Sequence, residues 1–110
     1  MRIYFQKKKY NYFSLIPCNI YGPHDKFDEE KGHVVGSLIK KISKAKEYNK
    51  KNVEIWGSGK PKRELIYVDD VAKAIIKFMF NRTLSNKKIY WLNIGTGIDK
   101  KIELIAKKIA

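Results

Sequence analysis

His33 is the side chain in this sequence with the clearest capacity for acid–base chemistry. The chain has two histidines, and His33 follows Gly32 at the start of a segment with helical periodicity. An ordinary imidazole has a pKa of about 6.5, so it can give up a proton at neutral pH. A lone histidine at a helix start is more often a capping or surface residue, and the residues alone favour that simpler interpretation.

Arg63 is a candidate for binding phosphate. The chain has many lysines but only three arginines, at positions 2, 63 and 82. Arg63 stands between a glycine-rich turn and an apolar segment, so composition alone does not explain it. The planar fork of its guanidinium fits the oxygens of a phosphate group.

The composition indicates one small domain and narrows the range of partners. The 110 residues are 44% hydrophobic, which is enough for a modest core. The net charge of +13 favours partners that carry phosphate. Nearly all of that charge is lysine, whereas base recognition favours arginine, so we expect no nucleic acid.

A single cysteine, Cys18, excludes an internal disulfide and a cysteine cluster for zinc, and no metal is expected. Without an apolar span or a signal sequence, we expect no membrane association and a cytoplasmic location.

The order of the predicted elements indicates an α/β class. Apolar or alternating runs predict strands at residues 12–16, 53–56, 64–68 and 89–94, the first of them buried. Turn-forming residues predict a loop over 19–32 and turns over 57–61 and 95–97. Asp69 and Asp70 are predicted to begin a helix, where carboxylates satisfy the first N–H groups. Three buried helical stripes are predicted: Val35, Leu38, Ile39 and Ile42; Val71, Ala74, Ile75, Phe78 and Met79; Ile102, Ile105, Ala106 and Ile109.

Three segments, taken in order, resemble the extended short-chain dehydrogenase/reductase superfamily: PCNIYGP at residues 17–23, RELIYVDD at 63–70 and NIGTG at 93–97. Three more resemble its GDP-L-fucose synthase branch: GPHDKFD at 22–28, HVV at 33–35 and WGSGKPKRE at 56–64. The resemblance implies an incomplete Rossmann sheet plus a small substrate-binding domain. Residues 1–110 would form the C-terminal, substrate-binding part of an NAD(P)-dependent epimerase/reductase.

The resemblance also implies roles for particular residues. His33 matches the proton donor, and the nicotinamide end of NADP(H) would lie against Pro17, Cys18, Asn19, Ile20 and His33. The GDP-sugar would be held by Lys41, Trp56 and Arg63. Lys41 stands where the family has arginine, so it keeps the charge but loses the two-pronged hydrogen bond. A solvated lysine at position 41 and a core aromatic at position 56 are the alternatives.

The complete enzyme implied by the resemblance converts GDP-4-keto-6-deoxy-D-mannose to GDP-L-fucose, by 3,5-epimerisation and NADPH-dependent 4-reduction, as a homodimer. The sequence has no counterpart of that enzyme's glycine-rich phosphate loop, serine or Tyr-x-x-x-Lys pair. Tyr4 and Lys8 have the spacing of the pair, but they lack its strand–loop–helix context. We therefore expect the isolated chain to be inactive. Another nucleotide-sugar epimerase or dehydratase of the superfamily, or a non-catalytic nucleotide-binding remnant, remains an alternative.

Overall fold

The computed structural model describes residues 14–80 and 91–110. In chain order the elements are β1 (Ser14–Pro17), β2 (Asn19–Tyr21), α1 (Val34–Glu47), β3 (Lys62–Tyr67), α2 (Val68–Met79), β4 (Trp91–Ile94), β5 (Asp99–Lys101) and α3 (Ile102–Ile109). The predicted α/β class is confirmed. Residues 12–13 and 89–90 of the predicted strands, together with Tyr4, Lys8 and Arg82, lie outside the described residues.

Two parallel strand pairs organise the described part of the chain. β1 pairs with β4, with Ser14 opposite Trp91 and Pro17 opposite Ile94. β2 pairs with β3, and β5 adds to the other edge of β3 in antiparallel orientation. The Cys18 N–H donates to the Ile94 carbonyl oxygen at 2.8 Å, immediately beyond the β1–β4 pair. Because parallel strands end at the same edge, the segments that follow Pro17 and Ile94 lie side by side.

The first hydrophobic cluster joins α1 to α3. Val35 and Leu38 of α1 are buried against Ile105 and Ala106 of α3. These residues belong to the two helical stripes that periodicity predicts, and both stripes face the core. α1 ends with Lys44 and Lys46 in its last turn, where positive charge complements the negative end of the helix dipole.

The second cluster lies between β3, α2 and β4, where Ile66, Val71 and Ile94 are buried. Here the predicted stripe of α2 is only partly correct. Ala74 and Phe78 pack against the cluster, but Ile75 and Met79 are exposed. Among residues 14–80 and 91–110, no helix has both the length and the apolar character needed to cross a membrane.

Several predicted strand boundaries are wrong. Residues 53–56 do not form a strand; their alternating pattern arises because Ile55 packs on the α1–α3 cluster from an irregular segment. β2 occupies the start of the predicted loop over 19–32, and β5 was not predicted. β3 begins at Lys62 and ends at Tyr67, so Val68 belongs to α2.

Two predicted environments also need correction. β1 is not a buried strand, since Ile16 is 52% exposed; in the described residues β1 pairs only with β4, which leaves its outward side chain uncovered. Asp69 and Asp70 lie within the first turn of α2, whose N-cap is Tyr67 and has no side-chain cap hydrogen bond. Their carboxylates therefore act on the helix dipole and do not cap the helix.

Candidate functional site

The most informative contact in the structure is a hydrogen bond between His33 and Asp25. His33 is the N-cap of α1, with extended backbone and no side-chain cap hydrogen bond. Its Nδ1 lies 3.0 Å from Asp25 Oδ1. The His33 side chain is 80% exposed, whereas that of Asp25 is only 11% exposed. His33 is thus an exposed residue at the N-cap position, as the simpler interpretation expects, and its imidazole is in addition hydrogen-bonded to a mostly buried carboxylate.

Local hydrogen bonds hold the loop that carries Asp25. Asp28 Oδ1 accepts from the N–H groups of Glu30 and Lys31, at 3.0 and 2.6 Å. These two bonds hold the pKa of the Asp28 carboxyl below its ordinary value. The Gly32 N–H donates to the Asp28 carbonyl oxygen, which closes the loop just before His33. These hydrogen bonds define the conformation of the loop, which brings Asp25 next to His33.

His33 lines a cavity of about 480 Å³ together with the segment that follows β1. Cys18, Asn19 and Ile20 form one wall, and residues of the α1 start and Leu65 form the rest. The structure therefore brings His33 together with three of the four residues predicted to meet the nicotinamide end of a cofactor. Pro17, the fourth, lines a neighbouring cavity of about 440 Å³ with Cys18.

Glu64 links the three sequence segments that carry the superfamily resemblance. Its main-chain oxygen accepts from Asn19 Nδ2 at 2.9 Å. Its side-chain Oε1 accepts from the Gly97 N–H at 2.6 Å. An added Cβ on Gly95 would collide with that same oxygen. Residues 17–23, 63–70 and 93–97 thus meet at one residue, Glu64, where Asn19 binds its main-chain oxygen and Gly97 binds its carboxyl group.

The thiol of Cys18 lies beside this junction. Partial burial raises its pKa above the ordinary value, and the negative charge of Glu64 acts in the same direction. Both effects disfavour the thiolate, which is the reactive form of cysteine. Cys18 packs at the edge of the second hydrophobic cluster. It is therefore a packing residue with low nucleophilicity.

Lys41 and Trp56 meet at a second, larger cavity of about 660 Å³. Lys41 Nζ lies 4.7 Å from the centre of a Trp56 ring, and it also donates to the Glu54 carbonyl oxygen at 3.4 Å. Trp56 is 63% exposed, so the alternative of a core aromatic is wrong. The structure pairs these two predicted substrate-binding residues and leaves the flat face of Trp56 at the surface.

Charges of both signs surround this second cavity. Its lining includes Lys31, Lys40, Lys41 and Lys44, and equally Asp28, Glu29, Glu30 and Glu54. Lys44 donates to Glu29 at 3.0 Å, which lowers the pKa of the Glu29 carboxyl and raises the pKa of the Lys44 ammonium. The cavity is therefore balanced in charge, and its affinity for an anion has to come from the placement of individual lysines.

Arg63 stands apart from both cavities. It lies on β3 opposite Lys100 of β5, is exposed, and donates from Nη1 to the Lys62 carbonyl oxygen at 2.8 Å. It lines neither the cavity of His33 nor that of Trp56. The residues predicted to form one site thus fall into a His33 group, a Lys41–Trp56 pair and a separate Arg63, and the role of Arg63 stays a prediction.

Comparison with known proteins supplies the family. The sequence model of the NAD dependent epimerase/dehydratase family matches residues 1–95. The chain belongs to this family. The superfamily predicted from residues 17–23, 63–70 and 93–97 is therefore confirmed, and with it the fold class that the resemblance implies.

Individual relatives of this epimerase/dehydratase chain support the predicted branch. It is 41% identical to GDP-L-colitose synthase of Yersinia pseudotuberculosis and 39% identical to GDP-L-fucose synthase of Escherichia coli K12, covering 96% and 91% of this chain. A GDP-L-fucose synthetase from Naegleria fowleri, solved with NADP, superposes with a TM-score of 0.78 at 33% identity over 88% of this chain and 29% of that one. The chain spans about a third of the length of the two curated relatives, 33% of each.

Two residues of this site were missed in the sequence. Asp25 was assigned to a loop without a role, and its signal was weak: an acidic residue inside the GPHDKFD segment, eight positions before the candidate acid. Glu64 was assigned only to a strand. A carboxylate at the start of the apolar run over 64–68, with two glycine-rich segments elsewhere in the chain, is the pattern that could have suggested a tertiary hydrogen bond to a turn.

Proposed function

We propose that this chain forms the C-terminal, substrate-binding part of a GDP-L-fucose synthase-like enzyme. The complete enzyme would act on GDP-4-keto-6-deoxy-D-mannose by 3,5-epimerisation and NADPH-dependent 4-reduction to GDP-L-fucose. The observation that carries the proposal is the cavity shared by His33 and residues 18–20, in a chain about 40% identical to synthases named for GDP-sugars. The chain spans only about a third of those relatives, so activity would also require the residues that their other two thirds contribute.

In the proposed reaction His33 supplies a proton to a carbon next to the ketone. A ketone acidifies the hydrogens on the adjacent carbons, so inversion requires a base on one face of the sugar and an acid on the other. The exposed imidazole of His33 is suited to the acid. The Cys18 thiol lines the same cavity, but its raised pKa and its packing at the core edge disfavour it as the base, so the rest of the complete enzyme would supply the base.

The cavity of His33 would receive one end of a nicotinamide cofactor. Its wall is the polypeptide just beyond the carboxyl end of a parallel strand, which is the edge where such sheets bind ligands. Pro17, Cys18, Asn19 and Ile20 would contact the nicotinamide end, with backbone groups available for hydrogen bonds. NADPH, when bound, would supply the hydride that reduces the ketone.

Lys41 and Trp56 would hold the GDP-sugar. The Trp56 ring offers a flat exposed face, and Lys41 offers a positive charge that already lies over that ring. Arg63 would contact the same ligand only if the ligand or the missing part of the enzyme extends to β3. Such a complete enzyme would be a homodimer.

A chimeric enzyme tests this proposal directly. The corresponding third of the Escherichia coli GDP-L-fucose synthase would be replaced by this chain, and oxidation of NADPH would be followed with the 4-keto sugar nucleotide. We expect turnover, and we expect His33→Gln to lower it by about 10²-fold to 10⁴-fold while NADPH still binds. His24→Asn is the matched control, because His24 has a positive φ that asparagine tolerates. A folded chimera that binds NADPH without turning over the sugar nucleotide would disprove the proposal.

The same chimera separates the alternatives. Turnover of a different 4-keto sugar nucleotide, with none of the fucose precursor, would make the chain part of another epimerase or reductase of the family. Binding of GDP-mannose to the isolated chain in calorimetry, combined with an inactive chimera, would identify a nucleotide-binding remnant.

A further inference from the structure

We infer that Asp25 is a positioning residue that fixes which nitrogen of His33 exchanges its proton. The inference rests on the contact of His33 Nδ1 with Asp25 Oδ1 at 3.0 Å. It deepens the proposed function, since it identifies the atom from which the proton would leave. Nothing in the sequence pattern assigns this role to Asp25.

The chemistry of the two groups determines the direction of the hydrogen bond. An aspartate is ionised at neutral pH, and an ionised carboxylate only accepts hydrogen bonds. The nitrogen facing it, Nδ1, must therefore carry a hydrogen in both the neutral and the protonated imidazole. Nε2 is then the nitrogen that gains and loses the exchangeable proton, and the proton donated to the substrate carbon leaves Nε2 as that carbon–hydrogen bond forms.

The surroundings of Asp25 keep its carboxylate in place. Oδ1 also accepts from the Lys26 N–H at 2.7 Å, which fixes its orientation relative to the loop backbone. Oδ2 is buried and receives no hydrogen bond from the described residues. A Cβ added to Gly36 would lie 3.3 Å from Oδ2 and 2.9 Å from the Lys26 carbonyl oxygen, so the glycine allows the loop to approach α1 closely.

The burial of one unpaired carboxylate oxygen argues against a purely structural role. A buried acceptor without a partner is unfavourable, because it has given up its hydrogen bonds to water. A loop anchor would need only the Lys26 hydrogen bond, which an asparagine could also accept. Both oxygens of the ionised group only accept hydrogen bonds, so neither can become a donor towards His33, whereas the amide of an asparagine can turn its NH2 group to the ring. The geometry therefore favours a carboxylate whose role is to orient His33.

Nitrogen-15 NMR of the imidazole rings in the 110-residue chain tests this inference without any activity assay. At about pH 8 an ordinary histidine is neutral, and long-range proton–nitrogen spectra distinguish the nitrogen that carries hydrogen from the one that does not. The chain has two histidines, so His24 serves as an internal reference. We expect His33 to show hydrogen on Nδ1 alone, and His24 to show the mixture of forms typical of a solvated ring.

Two variants separate positioning from folding. Asp25→Ala removes the acceptor, so the His33 pattern should become that of His24. Asp25→Asn keeps the shape, but its amide can either donate or accept, so His33 should become a mixture while the amide spectrum of the α1–α3 core is retained. A wild-type His33 with the mixed pattern, or a folded Asp25→Ala chain that keeps hydrogen on Nδ1 alone, would overturn the inference.

The chimeric enzyme adds a kinetic readout. Asp25→Asn should lower kcat by about 10-fold or more, because loss of a carboxylate that orients a catalytic histidine can lower kcat by up to about 10⁴-fold, with KM for the sugar nucleotide within about 2-fold. An unchanged kcat would overturn the inference. An inactive wild-type chimera would instead count against the proposed function, and the NMR result would still decide the role of Asp25.

Discussion

Replacing Gly95 with alanine should break the junction around Glu64. The added Cβ would occupy the place of Glu64 Oε1, so the carboxyl group has to move away. That movement removes its hydrogen bond with the Gly97 N–H, which is 2.6 Å long. Gly95 has no positive φ that would strain an alanine, so the collision with Glu64 is the main effect of the substitution.

The magnitude follows from the hydrogen bond that is lost. Hydrogen bonds to charged groups contribute about 1.5–3 kcal/mol to stability, and the lower end applies because Glu64 is only partly buried. We expect Gly95→Ala to lower the free energy of unfolding by about 1.5 kcal/mol. With a urea dependence of about 1–2 kcal/mol per molar for a small chain, the unfolding midpoint should fall by about 1 M.

A double-mutant cycle with Glu64→Ala isolates the cause. When the Glu64 side chain is absent there is nothing to collide with, and Gly95→Ala should become neutral or slightly stabilising, because alanine restricts the unfolded chain. The coupling between the two substitutions should therefore be about 1.5 kcal/mol. Gly57→Ala is the control, since Gly57 has open space around its Cβ position and its cost comes from a positive φ. That cost should be the same with and without Glu64.

Additivity would refute the reasoning. If Gly95→Ala and Glu64→Ala add to within about 0.5 kcal/mol, the two residues do not share one interaction. If the loss of unfolding free energy caused by Gly57→Ala also depended on Glu64, the coupling would reflect a general weakening of the fold and not a specific contact. In either case the meeting of the three segments around Glu64 would not be the source of their stability.

Three further outcomes are expected. Because the Asp28 pKa is lowered in the folded chain, its stabilising effect is present above the ordinary carboxyl pKa of about 4 and is lost as pH falls through the lowered value; Asp28→Asn should lower the urea midpoint at pH 7 and change it little near pH 2. The Cys18 thiol should react with iodoacetamide more slowly at pH 8 than the thiol of the urea-unfolded chain, and Glu64→Gln should increase the folded rate; equal folded and unfolded rates would contradict the raised pKa. Leu38 of α1 is 4% exposed and packs against α3, so Leu38→Ala should lower the free energy of unfolding, measured by urea unfolding, by about 2–5 kcal/mol.

Elements with long apolar periodicity could be predicted from the sequence, and short elements could not. The stripes of α1 and α3 repeat over two or more turns, so their buried faces follow from the chain alone. β2 and β5 have three residues each, and their existence depends on pairing with β3. Residues 53–56 alternate like a strand but find no strand partner, which no local pattern can reveal.

The candidate site shows the same division between local and tertiary information. His33 was predicted because its residue type and its place before a helix carry chemical meaning. Asp25 was not, because its contact with His33 depends on a loop that turns at His24, where φ is positive, and closes at Gly32. A one-sequence argument identifies groups that could react, but it does not identify the groups that hold them.

The spacing along α1 limits what the proposed ligand can be. His33 and Lys41 are eight residues apart, which corresponds to about 12 Å along a helix at 1.5 Å per residue. A single sugar ring is too short to contact both, whereas a sugar joined through a diphosphate to a nucleoside is long enough. The cavity of His33 and the cavity of Lys41 and Trp56 can therefore belong to one extended ligand, with the reacting ring at the start of the helix and the charged linkage further along it. A compact ligand could contact His33 or Lys41 but not both, so the separation of the two groups favours a nucleotide-linked sugar over a free one.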